Sequence, residues 1–504
     1  MTIKRLSTLI LAAALLAACT KESDRLKISI GDIVGTWVFT DDAGECPAGC
    51  SAIRLYDNNT YRLYSVTATH SGRYEINGNT VTATASNGAT DRLVFKSKPD
   101  ATALVEYSGD FAYGKLRLTA TRNDTNMPLE MPREQRQTAP QALLFYFVGT
   151  NLDYYFGSNI SDVKSALGSD IPGDSRIAYF RRSAGSEWSI TEIVRNPSGA
   201  VEEHLLKSIP NPELSDMRTY LGDMVRMVPA ESYGVVFGGH GSGWLPVNYA
   251  IPRSAAPEAA LYPFGQAPLA DAMPTRYFGE PVPVPVMFDI DQIADNMTST
   301  GAHFSYVIFD DCFMSNIESL YAMRNAVDYI IASPCEIMAA GFPYKLITPH
   351  LFTDGGRSYD LESVCRSFYE YYQQDHTYQS ACVAMAVCSR LEALAAAAKQ
   401  LFASATAEVD ASQLQTYEPL SKHLFFDMMQ YAEALEGDPD ALDEFRAAFD
   451  SAFPENCRLH TDEYYSAYNN RFNRIEYYSG VTISEPSVAY PAENQATEWY
   501  RATH

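Results

Sequence analysis

Two short apolar runs stop abruptly in small or polar residues, and they restrict the fold more than any other part of the chain. One is Tyr233-Gly-Val-Val-Phe-Gly-Gly-His240-Gly-Ser-Gly-Trp244; the other is Tyr306-Val-Ile-Phe-Asp310-Asp311-Cys312-Phe-Met314. Each reads as a buried strand that ends at one residue able to do chemistry. If the two strands are neighbours in a parallel sheet, His240 and Cys312 project together at its carboxyl edge, where open α/β sheets place their sites. That pairing is what a thiol nucleophile and its base require. The blander alternative is a satisfied histidine and a small core thiol, which the matched strand-end placement argues against.

The surroundings agree with such a sheet. From Ala142-Leu-Leu-Phe-Tyr-Phe-Val148 onward, apolar strands at 176–181, 189–194, 329–332 and 381–387 alternate with helical segments at 214–227, 289–297, 316–325, 361–373 and 391–403. Alternation of this kind specifies a parallel or mixed α/β sheet with covering helices. It predicts an α/β domain over 141–490, mostly helical after Asp410 until a short strand at 480–484, with a tail at 491–504. Residues 26–122 differ in style. Short alternating runs, among them Thr36-Trp-Val-Phe39, Tyr61-Arg-Leu-Tyr64, Thr80-Val-Thr-Ala-Thr84 and Lys115-Leu-Arg-Leu-Thr-Ala120, are separated by Asn- and Gly-rich turns. They predict a small all-β barrel or sandwich with Trp37 as a core plug. Gly35-Thr-Trp37 is similar to the opening of lipocalin-like modules. Residues 123–140, polar and bounded by prolines, read as a linker.

The formal charge of −24 and pI near 4.7 exclude a nucleic-acid partner, because phosphate neutralisation needs clustered Lys and Arg. Lys4 and Arg5, followed by the apolar run Leu9–Leu16, form a targeting signal over 1–18 that is too short to span a membrane permanently. Leu16-Ala-Ala-Cys19 resembles the lipobox of bacterial lipoproteins. That resemblance implies lipidation at Cys19, a tether over 19–25, and an exported protein anchored at the outer membrane or cell surface. Of the other cysteines, Cys46 and Cys50 could close a small loop, whereas Cys335, Cys365, Cys382 and Cys388 sit in apolar contexts and read as buried thiols. No ligand spacing suggests a metal, and no cofactor is expected.

His240-Gly-Ser-Gly-Trp244 after a strand, together with Asp310-x-Cys312-x-Met314 and Glu318, resembles the clostripain family of cysteine peptidases, which have a caspase-like fold. Weaker echoes lie in Ala332-Ser-Pro-Cys-Glu336 through Gly341-Phe-Pro-Tyr344, in Phe426-Asp-Met-Met-Gln-Tyr431 and in Ser479-Gly-Val-Thr-Ile-Ser484. The resemblance implies that Cys312 attacks a peptide carbonyl while His240 carries the proton, and that the Gly241 and Cys312 N–H groups hold the oxyanion. It also implies that Asp310 binds a basic side chain, so that protein or peptide substrates are cut after Arg or Lys. Strand alternation would point Asp310 and Cys312 the same way. Asp311 and Glu318 read as structural. The Pro- and Ala-rich stretch 251–285 corresponds to a loop cut during activation in the family, and Arg253 and Arg276 are its basic residues. A plain surface insertion is the alternative there. For the whole chain, the alternative is a catalytically silent surface lipoprotein that binds a ligand or protein through its β-domain.

Overall fold

The computed structural model describes residues 26–41, 52–64, 69–85, 88–109, 115–122, 138–149, 152–167, 176–182, 188–195, 200–209, 212, 214, 216–246, 288–375, 377 and 379–504. Cys19, Cys46, Cys50, Arg253 and Arg276 lie outside the described residues. The chain forms two compact units, Met1–Arg136 with Leu205–Ile209, and Gln137–His204 with Pro210–His504.

The first unit contains a closed barrel of eight strands in sequence order. They are β1 (Gly35–Thr40), β2 (Ala52–Leu55), β3 (Thr60–Tyr64), β4 (Thr69–Asn77), β5 (Thr80–Ala85), β6 (Thr90–Phe95), β7 (Thr102–Gly109) and β8 (Leu116–Arg122). Antiparallel pairing of β1 with β8, Trp37 opposite Arg122, closes the ring and removes both free edges. Trp37 is the predicted plug. Its indole donates to the Ile33 carbonyl at 2.8 Å, and the Arg122 guanidinium lies 4.8 Å over its ring. Strand β7 escaped the sequence reading: Ala103, Val105 and Tyr107 point inward, but Leu104, 57% exposed, breaks the alternation.

The second unit is built on a nine-stranded sheet whose order is β12-β11-β10-β9-β13-β14-β15-β16-β18, the residues Leu205–Ile209 of edge strand β12 being those grouped with the first unit. Its strands are β9 (Ala139–Phe147), β10 (Arg176–Arg182), β11 (Trp188–Arg195), β12 (Val201–Ile209), β13 (Ala230–Gly238), β14 (Phe304–Asp310), β15 (Tyr329–Ala332), β16 (Cys382–Val387) and β18 (Leu459–His460). The centre, β10-β9-β13-β14-β15, is parallel, and antiparallel β11 and β16 flank it. The central strands are mainly apolar because helices such as Asp153–Leu167 and Leu361–Gln374 pack on the sheet. The architecture is the caspase-like α/β sheet preceded by a β-barrel.

Two sequence expectations need correction. Strand β9 begins at Ala139, inside the expected linker. Pro140 is tolerated near the strand start, where its carbonyl accepts from the Ser232 hydroxyl at 3.4 Å. The region after Asp410 is also less helical than expected. Besides the helices Met428–Ala434 and Pro439–Ala452 it holds β17 (Phe426–Asp427), β18, β19 (Glu463–Ser466) and β20 (Arg471–Arg474) before β21 (Thr482–Ile483). Strands of two to four residues show no usable periodicity, and long-range partners decide them.

At the centre of the sheet Gly234 of β13 accommodates the Tyr306 ring of β14. A Cβ on Gly234 would stand 2.0 Å from Tyr306 Cζ. Gly234→Ala is expected to cost about 3 kcal/mol of stability through overpacking. The double variant Gly234→Ala/Tyr306→Leu should recover part of that loss in urea denaturation.

Candidate active site

Strands β13 and β14 pair in parallel with Gly238 opposite Asp310. His240 and Cys312 therefore lie two residues beyond matched positions, at one level of the carboxyl edge. The two loops also touch. A Cβ on Gly241 would fall 2.0 Å from the Cys312 carbonyl oxygen and 2.9 Å from its nitrogen, so only glycine lets these backbones meet. Gly243, with φ at +65°, makes the left-handed turn that brings Trp244 back into the core.

The turn that carries Cys312 is held from several sides. β14 ends at Asp310, so strand alternation does not extend to Cys312 as expected; the thiol belongs to a turn. Phe313 adopts a left-handed φ of 61°, a strain of order 1–3 kcal/mol for a bulky residue. Its N–H donates to the Cys335 carbonyl at 3.1 Å, and its ring stacks on Phe425 at 5.1 Å. Asn316 then caps the helix Ile317–Met323, accepting from Ser319 N–H at 2.8 Å and donating to the Phe313 carbonyl at 2.7 Å.

Cys312 is fully buried, in an apolar cluster with Trp244, Leu245, Phe313, Leu420, Leu424 and Phe425. Burial pushes its thiol well up, and the Glu336 carboxylate adds to this, against the Ile337 N–H that donates to Sγ at 3.3 Å. His240, beside Cys312 in sequence register, is half-buried. Asp310 is completely buried, and the Tyr344 hydroxyl donates to its Oδ2 at 2.6 Å. Glu336 is buried too, its Oε1 accepting from Ala467 N–H at 3.1 Å. Tyr344 and Glu336 both lay within motif echoes of the sequence, yet their proximity to Asp310 and Cys312 could not be read there.

The distant C-terminal echoes converge behind this turn. Asp427, at the start of the helix Met428–Ala434, accepts from both the N–H and hydroxyl of Ser479, and β17 pairs with β21. Thr482 N–H in turn donates to the Ser315 carbonyl at 2.9 Å. The loop 418–425 is organised by buried Glu418, which accepts from Leu424 and Phe425 N–H at 2.7 and 3.1 Å and pairs with His423 Nδ1 at 2.8 Å.

The sheet thus brings a cysteine and a histidine to adjoining strand ends. Residues 286–485 match the sequence profile of the clostripain family, a span that includes Cys312 and begins after His240. Three solved structures resemble the chain. A secreted C11 cysteine protease from Bacteroides thetaiotaomicron, "iotapain", is 29% identical over 73% of this chain and 100% of its own, with a TM-score of 0.62. An inactive zymogen C11 protease from Parabacteroides distasonis is 25% identical over 73% and 99%, with a TM-score of 0.59. A second secreted C11 cysteine protease from Bacteroides thetaiotaomicron, in complex with an irreversible peptide inhibitor, is 21% identical over 72% and 98%, at 0.58, and supports the fold alone. No curated protein matches. The chain is similar to clostripain-family cysteine peptidases, by sequence over residues 286–485 and in fold over 73% of its length. Among the described residues no helix is long and apolar enough to cross a membrane.

The His423–Glu418 pair gives the loop 418–425 a pH dependence. Hydrogen bonding to Glu418 raises the His423 pKa above its ordinary 6.5. Its stabilisation is therefore complete below 6.5 and is lost as pH rises through the raised value. His423→Ala should increase hydrogen exchange in this loop at about pH 6, and the difference from the parent should fade at alkaline pH. The imidazole is 43% exposed, so the effect stays local.

Proposed function

We propose that the chain is a cysteine endopeptidase in which Cys312 is the nucleophile and His240 the proton carrier, cutting after Arg or Lys. The observation that carries this is the Gly238–Asp310 register together with the Gly241–Cys312 backbone contact. Proton transfer from Cys312 to His240 generates the thiolate that burial otherwise disfavours. The thiolate attacks the scissile carbonyl, and the oxyanion is held by the Gly241 and Cys312 N–H groups. His240 then protonates the leaving amine, and water hydrolyses the acyl-enzyme.

Asp310 supplies the negative charge for a basic side chain, oriented by Tyr344, and buried Glu336 deepens the negative field at the same end of the sheet. Complete burial of Cys312 supports a closed form that opens on cleavage in 251–285, at Arg253 or Arg276. Export with a lipid anchor at Cys19 belongs to the same reading.

The test is hydrolysis of matched reporter peptides ending in Arg, Lys, Ala or Asp by the intact and the trypsin-nicked chain, with intact mass recorded. Turnover should be confined to Arg and Lys, and Cys312→Ala or His240→Ala should lower it by at least about 1,000-fold. Asp310→Asn should reduce kcat/KM for Arg by about 10- to 100-fold and so narrow the gap between the Arg and Ala peptides. A break after Arg253 or Arg276 in the parent and not in Cys312→Ala would support self-processing. Absence of turnover in both intact and nicked protein would overturn the peptidase reading.

A further inference from the structure

Ser484 is the meeting point of three segments around the candidate site. Its hydroxyl donates to the Leu424 carbonyl at 2.6 Å and accepts from the Trp244 indole at 2.7 Å. Its N–H donates to Glu318 Oε1 at 2.9 Å. A hydroxyl has one proton to give, so the bond to Leu424 fixes its lone pairs toward the indole. Trp244 lies four residues after His240. Leu424 precedes the Phe425 that stacks on Phe313, the neighbour of Cys312. Glu318 lies in the helix that starts just beyond Cys312.

Glu318 is a costly residue for this place. It is 2% exposed, and Oε1 is shared between Ser484 N–H and Asn494 Nδ2, the latter at 3.5 Å. Oε2 is buried with no hydrogen-bond partner among the described residues. A glutamine would accept the same two bonds without the risk of a buried charge. Desolvation instead raises the Glu318 pKa to about 7, so the carboxyl changes charge in the neutral range. The titratable groups that face it are Tyr431, kept neutral by burial, and Glu485, which accepts from the Tyr431 hydroxyl at 2.7 Å. The ion pairs of Arg324 with Glu392 and Glu498 lie farther along the same helix.

We infer that Glu318 is a positioning residue for the Cys312 and His240 pair: its ionised carboxylate grips Ser484 and, through the Ser484 hydroxyl and the Trp244 indole, holds the His240 loop against the turn that carries Cys312. This rests on the peptidase reading proposed above. A charge-assisted bond to Ser484 N–H is roughly twice as strong as a neutral one, so the grip tightens as Glu318 ionises. Stability and activity then respond in opposite senses. The folded-state pKa lies above the unfolded value of 4.5, so the group's contribution to stability declines as pH rises from about 4.5 through 7. Positioning improves over the upper part of that range.

Glu318→Gln holds the neutral state at every pH. The kcat ratio of parent to Glu318→Gln should be near one at about pH 5.5 and rise to about fivefold at about pH 8.5, with KM unchanged. Over the same range the variant should become the more thermally stable of the two. In a Trp244→Phe background the Glu318→Gln effect on kcat should disappear. An assay that needs no turnover uses the Cys312→Ala chain with 15N-labelled indoles, the Trp244 signal assigned through Trp244→Phe. That signal should titrate near neutrality and stop doing so in Glu318→Gln. A flat kcat ratio, an activity loss that follows a stability loss at each pH, or an indole signal indifferent to Glu318 would overturn the proposal. Peptide cleavage that survives in Cys312→Ala would instead sink the dyad, while the indole titration still decides the role of Glu318.

Discussion

The parallel register of β13 and β14 is the constraint on which the rest of the second unit depends. With Gly238 opposite Asp310, the glycine-rich loop after one strand and the cysteine turn after the other leave the sheet side by side. Their backbones then approach so closely at Gly241 and Cys312 that a single Cβ would not fit. A one-residue slip would move the histidine loop along the sheet edge and reverse which side chains face the core. The apolar character of both strands, buried on both faces, therefore serves the site as much as the fold.

Around that contact the molecule places its strain and its buried polar groups. The left-handed Phe313 is held by Cys335, Asn316 and Phe425, which come from three separate segments. Glu336, Asp310, Glu318 and Asp427 are all buried near or behind the turn, each bonded to backbone or hydroxyl donors. Carboxylates in such places lower stability in exchange for a defined arrangement. Of these, Glu336 adds to the burial that pushes the Cys312 thiol up.

The motifs legible in the sequence were those with local causes. His240 and Cys312 could be located because a buried strand followed by glycines or acids announces its own end. Trp37 could be read as a core residue because a large apolar side chain in a short alternating strand falls on the buried face. Strand β7 and the two-residue strands after Asp410 were not legible, since an exposed Leu104 or a length of two residues erases the period on which such reading depends. Tyr344, Glu336 and Ser484 belonged to recognisable motifs. Their partners, however, come from 34, 131 and 240 residues away in sequence, and no local pattern encodes those meetings.

The sequence by itself determined that two dissimilar units would form and that a histidine and a cysteine would each follow the end of a buried strand, because hydrophobic period, turn residues and strand ends are local properties. Only the tertiary structure decided that Cys312 would be fully buried, that Asp310 would be bound to Tyr344, and that Glu318, Ser484 and Trp244 would join the C-terminal segment to both site loops. The physical reason is that burial, and the hydrogen bonds that burial makes obligatory, depend on which distant segments the packed sheet brings together.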